Sequence, residues 1–412
     1  MKTLLDNIGV LATPIGNAAK RGKQQGEILQ LSKAWILWEN DKILAVGTDK
    51  GFKPAADRVL DAKQGLVTPG LVDAHTHLVF SGWREHELSM KLRRVPYLDI
   101  LAAGGGILST VKNTREASVK ELKDKTKKIL AQMLEQGVTT VEAKSGYGLT
   151  TETELKMLKV VSELEQEEAI TIVSTFMGAH ALPPEYKNKR QEYLDLVIKE
   201  TLPQVAKEHL AEFIDVFCEE GVFTPEESAQ ILAAGKAYGL GLKCHSDEIV
   251  ALGGTTMAAQ MGAVSCEHLI KADEEGIKAM AQSGTIACLL PGTSFYLNST
   301  YAPARQMVEE GVAIAFGSDF NPGSNPCNSL QLAMHIGCYK YAMTPEECLT
   351  AVTLNGAAAI KREGVAGTLE QGKLADLVIW DAPNLDYLYY RYGHNMVSQV
   401  IKKGEIVVDN GL

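Results

Sequence analysis

The sequence predicts an α/β protein: a TIM-like (β/α)8 barrel carrying a small β-sandwich domain built from both chain ends. Three observations lead there. Between residues 66 and 320, eight short apolar runs alternate with longer amphipathic ones. Histidines and an aspartate recur at the C-terminal ends of those runs, where barrel active sites are built. Both ends of the chain instead show hairpin patterns.

In chain order, residues 35–46 read as a hairpin turning at Asn40-Asp41. The barrel strands are expected at 67–77, 138–143, 169–177, 213–217, 241–245, 263–267, 285–290 and 313–318. The run 213–217 is the weakest, because it carries Asp215. Helices are expected between them, for example at 151–166, where Leu155, Met157, Leu158 and Val161 form one stripe, and at 225–238 and 274–283. An open doubly wound sheet is the alternative, but no Gly-x-Gly-x-x-Gly turn follows the first strand. Residues 103–107, Ala-Gly-Gly-Gly-Ile, lack the tail of a phosphate loop and read as a flexible loop over the site or a plain linker. Helical segments at 344–352 and 355–361 close the barrel side. A strand at 374–380 and a hairpin at 397–402 and 405–408 complete the small domain. The expected division is therefore 1–65 with 367–412 for the small domain, and 66–366 for the barrel.

Bulk properties exclude several classes. A chain of 412 residues, 45% hydrophobic and 22% charged, has the composition of a globular protein with one large core. A net charge of -10 argues against a nucleic-acid binder, which needs a basic stripe. Asp6 and Asn7 interrupt any N-terminal apolar region, and no stretch suits a membrane span. Seven cysteines without a Cys-x-x-Cys read as reduced, mostly buried thiols of a cytoplasmic protein.

The chemistry starts at His75 and His77. Residues two apart on a strand share a face, so both rings point into one space. A lone His-x-His is weak evidence of metal. His245 and Asp319 at later strand ends turn it into three imidazoles and a carboxylate, the donor set of a hydrolytic metal centre. His268 is a further ligand, a proton-transfer residue or a hydrogen-bonded support. Glu248, three residues past His245, can return over the metal to bind substrate and move a proton, or it decorates a helix start capped by Ser246 or Asp247. No lysine lies in the fourth strand to bridge two metals, which favours a single ion; Lys243 shares a face with His245, so pattern alone leaves it open. Arg84 suits a substrate carboxylate, or pairs with Glu85 or Glu87 at the surface. Tyr147 sits between Gly146 and Gly148 on a sharp loop. Asn321, Gly323 and Ser324 form a turn able to offer donors to an anion, though a plain turn would read alike.

Four segments carry a resemblance. They are Asp73-Ala74-His75-Thr76-His77-Leu78-Val79-Phe80 with Arg84-Glu85-His86-Glu87; Tyr97-Leu98-Asp99-Ile100-Leu101-Ala102-Ala103-Gly104-Gly105-Gly106-Ile107; Lys144-Ser145-Gly146-Tyr147-Gly148-Leu149; and Ser318-Asp319-Phe320-Asn321-Pro322-Gly323-Ser324. With them the chain resembles the imidazolonepropionases of the metal-dependent amidohydrolase superfamily. The His-x-His alone marks only the superfamily. The resemblance implies His75, His77, His245 and Asp319 as ligands of one Zn or Fe ion per chain. It implies Arg84, Tyr147, His180 and Glu248 as substrate contacts, with Asn321, Gly323 and Ser324 holding a carboxylate. Glu248, His268 and Asp319 become the catalytic acid/base groups. The implied reaction is hydrolysis of the ring amide of 4-imidazolone-5-propanoate by a cytoplasmic enzyme, expected as a homodimer, acting on a small molecule and engaging neither nucleic acid nor membrane. The rival readings are a deaminase on the same scaffold, which would release ammonia, and a non-catalytic relative, which would lack metal.

Overall fold

A computed structural model of the chain describes residues 1–93, 95, 99 and 104–411. Most of the second resemblance segment, including Tyr97 and Ala103 of the expected glycine-rich loop, lies outside the described residues.

The chain opens with five strands: β1 (Lys2–Thr13), β2 (Leu29–Glu39), β3 (Lys42–Thr48), β4 (Arg58–Asp61) and β5 (Leu66–Pro69). Eight parallel strands follow: β6 (Leu71–Asp73), β7 (Val138–Lys144), β8 (Thr171–Ala179), β9 (Phe213–Cys218), β10 (Gly241–Ser246), β11 (Ser265–His268), β12 (Ile286–Leu289) and β13 (Ile314–Phe316). Three more end the chain: β14 (Leu377–Trp380), β15 (Val397–Lys402) and β16 (Glu405–Asp409).

The small domain orders its strands β16-β15-β14-β5-β1-β2-β3, with β4 beside β1. This is the β-sandwich from both chain ends, closed over Leu5, Ile8, Trp38, Ile43, Leu377 and Ile401. Both expected hairpins form. β2 turns into β3 through Asn40, whose φ of 55° is a conformation asparagine tolerates.

The strand expected at 67–77 is two strands in two sheets. β5 pairs with β1 and β14, while β6 pairs with β7. The chain crosses at Gly70, where a Cβ would stand 2.2 Å from the Thr139 hydroxyl. An unbroken apolar run hides such a break, because both halves are buried on both faces. By sheet membership, residues 66–69, read as the start of the barrel, belong with the small domain's strands.

The barrel runs β6 to β13 in sequence order, each strand parallel to the next. It closes through the chain beyond β13: the Asp319 N–H donates to His75 O at 3.0 Å, and the His77 N–H to Phe320 O at 2.9 Å. Helices wrap the outside, among them Thr151–Glu167 and Pro225–Ala237. The second begins at a capping box, Thr224 with Glu227, and has Pro225 in its first turn. Val378, Trp380, Val397 and Val400 of the small domain join the apolar cluster that holds the barrel's helices. Among the described residues no helix is long and apolar enough to cross a membrane.

Candidate metal centre and substrate site

The closing hydrogen bonds continue the strand pairing past β6, so His75 and His77 stay on one face with Thr76 between them. Thr76 turns the other way and donates to Glu142 O. Asp73 accepts from the Ser318 N–H at 2.9 Å, tying the first and last barrel strands together just below the histidines.

His75, His77 and Asp319 come from the seam where the chain past β13 meets the chain past β6, and His245 and His268 from the β10–β11 seam. The ring centroids of His75 and His245 lie 4.6 Å apart, those of His75 and His77 5.3 Å, and those of His77 and His245 5.6 Å. Asp319 Oδ1 stands 3.5 Å from His75 Nε2 and 3.7 Å from His77 Nε2. His268 joins from the next strand, 5.2 Å from His245 between centroids. The donor atoms fall into sets close enough to share one ion: His75, His77 and Asp319 in one, and His75, His245 and His268 in another.

Two observations show that these rings suit a cation. The Nε2 atoms of His75 and His245 are buried with no hydrogen-bond partner among the described residues. Their Nδ1 atoms are held by buried carboxylates, His75 by Glu267 at 2.8 Å and His245 by Asp215 at 3.0 Å. A carboxylate on one ring nitrogen leaves the other free for metal and raises its basicity. Burial, followed by the nearby Lys144 charge, holds His75 well below the usual histidine range, so it stays neutral as a ligand must. His77 is held neutral by burial and by His180.

Backbone geometry sharpens the cluster. Asp319 has φ 54° and His268 φ 69°, conformations uncommon outside glycine. Glu267 pairs in register with His245 and so faces the barrel interior. His268, its neighbour, would face away under strict alternation. The left-handed turn brings it back to the centre.

Glu248 lies beside this cluster, its Oε1 3.6 Å from His268 Nδ1. The helix after β10 starts only at Gly254, so Glu248 is not a helix-start residue. Asp247 does that work, accepting from the N–H groups of Leu252 and Thr255. Glu219, buried, accepts from the Ile249 N–H at 2.8 Å and the Val250 N–H at 3.2 Å and fixes the loop carrying Glu248. Burial, with the Asp319 charge second, pushes the Glu248 carboxyl up to about 8.

Arg84 is paired with Glu87, but not at the surface. The Glu87 side chain is fully buried, and the fork donates to it at 2.8 and 3.0 Å. Burial works against the Glu87 charge, but the Arg84 hydrogen bond and the Gly106 N–H hold its carboxyl down at about 2. The remaining terminal nitrogen of Arg84 packs on Gly323, where a Cβ would come within 2.2 Å of it. Only glycine permits that approach. Tyr147 is buried against both His77 and His180, at 5.8 and 5.3 Å between centroids, and those two histidines stack on each other at 4.8 Å. The Tyr147 loop is gripped by Glu154, which accepts from the N–H groups of Gly146, Gly148 and Leu149 at 3.1, 2.7 and 2.8 Å.

The turn at 321–324 differs from an open nest of donors. The Gly323 and Ser324 N–H groups already donate to Asn321 Oδ1, at 2.8 and 2.7 Å. The Asn321 amide donates to Asp319 Oδ1 at 3.0 Å and to Ser324 Oγ at 2.7 Å. Thr293 and Ser324 donate to the other Asp319 oxygen. The turn therefore aims the Asp319 carboxylate.

A family model described as the amidohydrolase family matches residues 66–407. An imidazolonepropionase of Alkaliphilus metalliredigens is 53% identical over 99% of this chain and 98% of its own. Another, from Streptococcus gordonii, is 50% identical over 95% and 94%. The chain belongs to the imidazolonepropionases, within the amidohydrolase family. Hydrolysis of a cyclic-amide carbon–nitrogen bond comes with that membership. The fold is also that of atrazine chlorohydrolase from Arthrobacter aurescens, solved with zinc (TM-score 0.74, 19% identity, 99% of this chain and 95% of that one). An adenosine deaminase from Xanthomonas campestris with bound zinc gives 0.71 at 20% identity, over 99% and 93%. A divalent metal at the His/Asp cluster agrees with both the family and the donor sets.

Sequence reasoning missed Asp215, Glu267 and Glu154, and it named Glu87 only as a surface partner of Arg84. Asp215 looked like a flaw in a strand. For Asp215 and Glu267 the available signal was an acid inside an otherwise buried strand.

Proposed function

We propose that the protein hydrolyses 4-imidazolone-5-propanoate to N-formimidoyl-L-glutamate, a step in histidine breakdown. The observation that carries this reading is the Arg84 fork, held by Glu87 against Gly323 beside the His/Asp cluster. It supports a hydrolytic centre with an anchor for a carboxylate arm.

His75, His77, His245 and Asp319 would hold one Zn or Fe ion per chain. When bound, the ion supplies Lewis-acid activation of water and of the ring carbonyl. Asp319 orients the attacking water and accepts its proton. The water oxygen bonds to the carbonyl carbon, and the carbon–nitrogen bond of the ring breaks. His268 hydrogen-bonds the oxygen on which charge develops. Glu248 contacts the ring nitrogens and passes a proton to the leaving nitrogen. Arg84 pairs with the propionate, and Tyr147 and His180 wall the ring. Asn321, Gly323 and Ser324 contribute by fixing Asp319 and the surface on which Arg84 rests. The assembly is a homodimer in the cytoplasm.

The test is incubation of the purified, metal-loaded protein with the imidazolone. One formimidoylglutamate per substrate consumed, with no ammonia, is expected. Stoichiometric ammonia would favour the deaminase reading, and no turnover by metal-loaded protein would refute hydrolysis of this ring.

A further inference from the structure

Beneath the imidazoles the barrel interior is charged, where layers of branched apolar side chains are the rule. Glu142, Lys144, Asp215, Lys243 and Glu267 are all fully buried. Lys144 Nζ donates to Glu142 at 2.9 Å and to Asp215 at 2.7 Å. Lys243 Nζ stands 3.2 Å from Glu142 and 3.6 Å from Glu267. With the bonds from Asp215 to His245 and from Glu267 to His75, these contacts make one continuous path. It runs His75, Glu267, Lys243, Glu142, Lys144, Asp215, His245. It starts and ends on two imidazoles whose centroids are 4.6 Å apart. Glu142 sits at the middle of the path and touches neither ring.

We propose that Glu142, Lys144 and Lys243 are positioning residues for the metal centre, a buried charged tie that holds Asp215 and Glu267 on the two imidazoles and sets how tightly the ion is held. This rests on the metal-site reading above. Three carboxylates against two ammoniums leave one negative charge, which is spread under the rings that would meet a cation. Remove the lysines, and three crowded carboxylates repel one another and lose their places. Remove Glu142, and each ammonium pulls undivided on Asp215 or Glu267, drawing electron density from the imidazole behind it. Because the partners are buried, the tie works as a unit. Both lysines act as counter-ions, which gives Lys243 a role other than a bridging ligand.

Another buried ion pair supplies the control. Lys402 and Asp376, 2.6 Å apart in the small domain, are as dry but reach no site residue. Zinc affinity would be measured by chelator competition on the whole protein for wild type, Glu142→Gln, Thr175→Val and Lys402→Met. Thr175 donates to Glu142, so its loss is a mild perturbation of the same tie. Glu142→Gln should weaken zinc about 10- to 100-fold, as for other outer partners of ligating histidines. Thr175→Val should weaken it less, in the same direction. Lys402→Met should lower the Tm and leave zinc affinity unchanged. Zinc affinity of Glu142→Gln equal to wild type would overturn the tie, as would equal weakening in Lys402→Met. If Glu142→Gln does not fold, Thr175→Val decides: unchanged affinity there refutes the proposal. A wild-type protein that binds no zinc or iron would instead refute the metal site itself.

Discussion

Replacing Arg84 by Met tests whether the site reads a carboxylate arm, and the structure sets the size of the effect. Two nitrogens of the fork are committed to Glu87, so one terminal nitrogen, the one against Gly323, is left for substrate. A single charge-assisted contact contributes about 1.5–3 kcal/mol. At about 1.4 kcal/mol per decade, Arg84→Met should cost roughly 10- to 150-fold in kcat/KM on the propionate substrate. Global stability should change little. Glu87 keeps Lys91 at 3.0 Å and the Gly106 N–H at 2.6 Å, so the substitution does not strand a buried charge. Arg84→Lys should recover only part of the loss, because an ammonium drawn to Glu87 has no second donor aimed at Gly323. The assay compares both variants on the propionate substrate and on the same ring lacking the arm, at matched metal content. Equal losses on the two substrates would show that Arg84 only supports the site, and the carboxylate-anchor reasoning would fail.

Other outcomes follow from single contacts. Glu248→Gln should keep its metal while kcat falls roughly 10²–10⁴-fold; a change within a few-fold would remove Glu248 from proton transfer. His75→Ala should lose most bound metal on dialysis, read by elemental analysis, since Asp319 lies within reach of both His75 and His77 and would be left with one of them. Glu154→Gln puts an amide that is half donor where three backbone N–H groups converge. It should cost about 1–3 kcal/mol of stability and raise KM by loosening the Tyr147 loop. A lowered Tm with unchanged KM would mean that the loop holds Tyr147 without Glu154.

Much of the architecture is written locally. Most barrel strands are legible because they are buried on both faces and read as short, largely apolar runs, with β9 the weakest for its Asp215, and the hairpins because Asn40 and Gly404 sit at positive φ between alternating strands. The break at Gly70 escaped this logic, since the crossing between sheets depends on Thr139, far along the chain. The histidines were legible for a related reason: an ionisable group closing an apolar strand has few structural uses.

What the sequence by itself determined is therefore the list of chemistry-bearing groups and the end of the barrel on which they gather, because strand alternation and the parallel crossover are short-range rules. Tertiary structure alone decided how those groups are held. Closure of the barrel sets Glu267 on His75, the pairing of β9 with β10 sets Asp215 on His245, and the left-handed turns at His268 and Asp319 aim those side chains inward. Buried charges are tolerated only where opposite charges and hydrogen bonds meet them, and here those partners lie on strands distant in sequence.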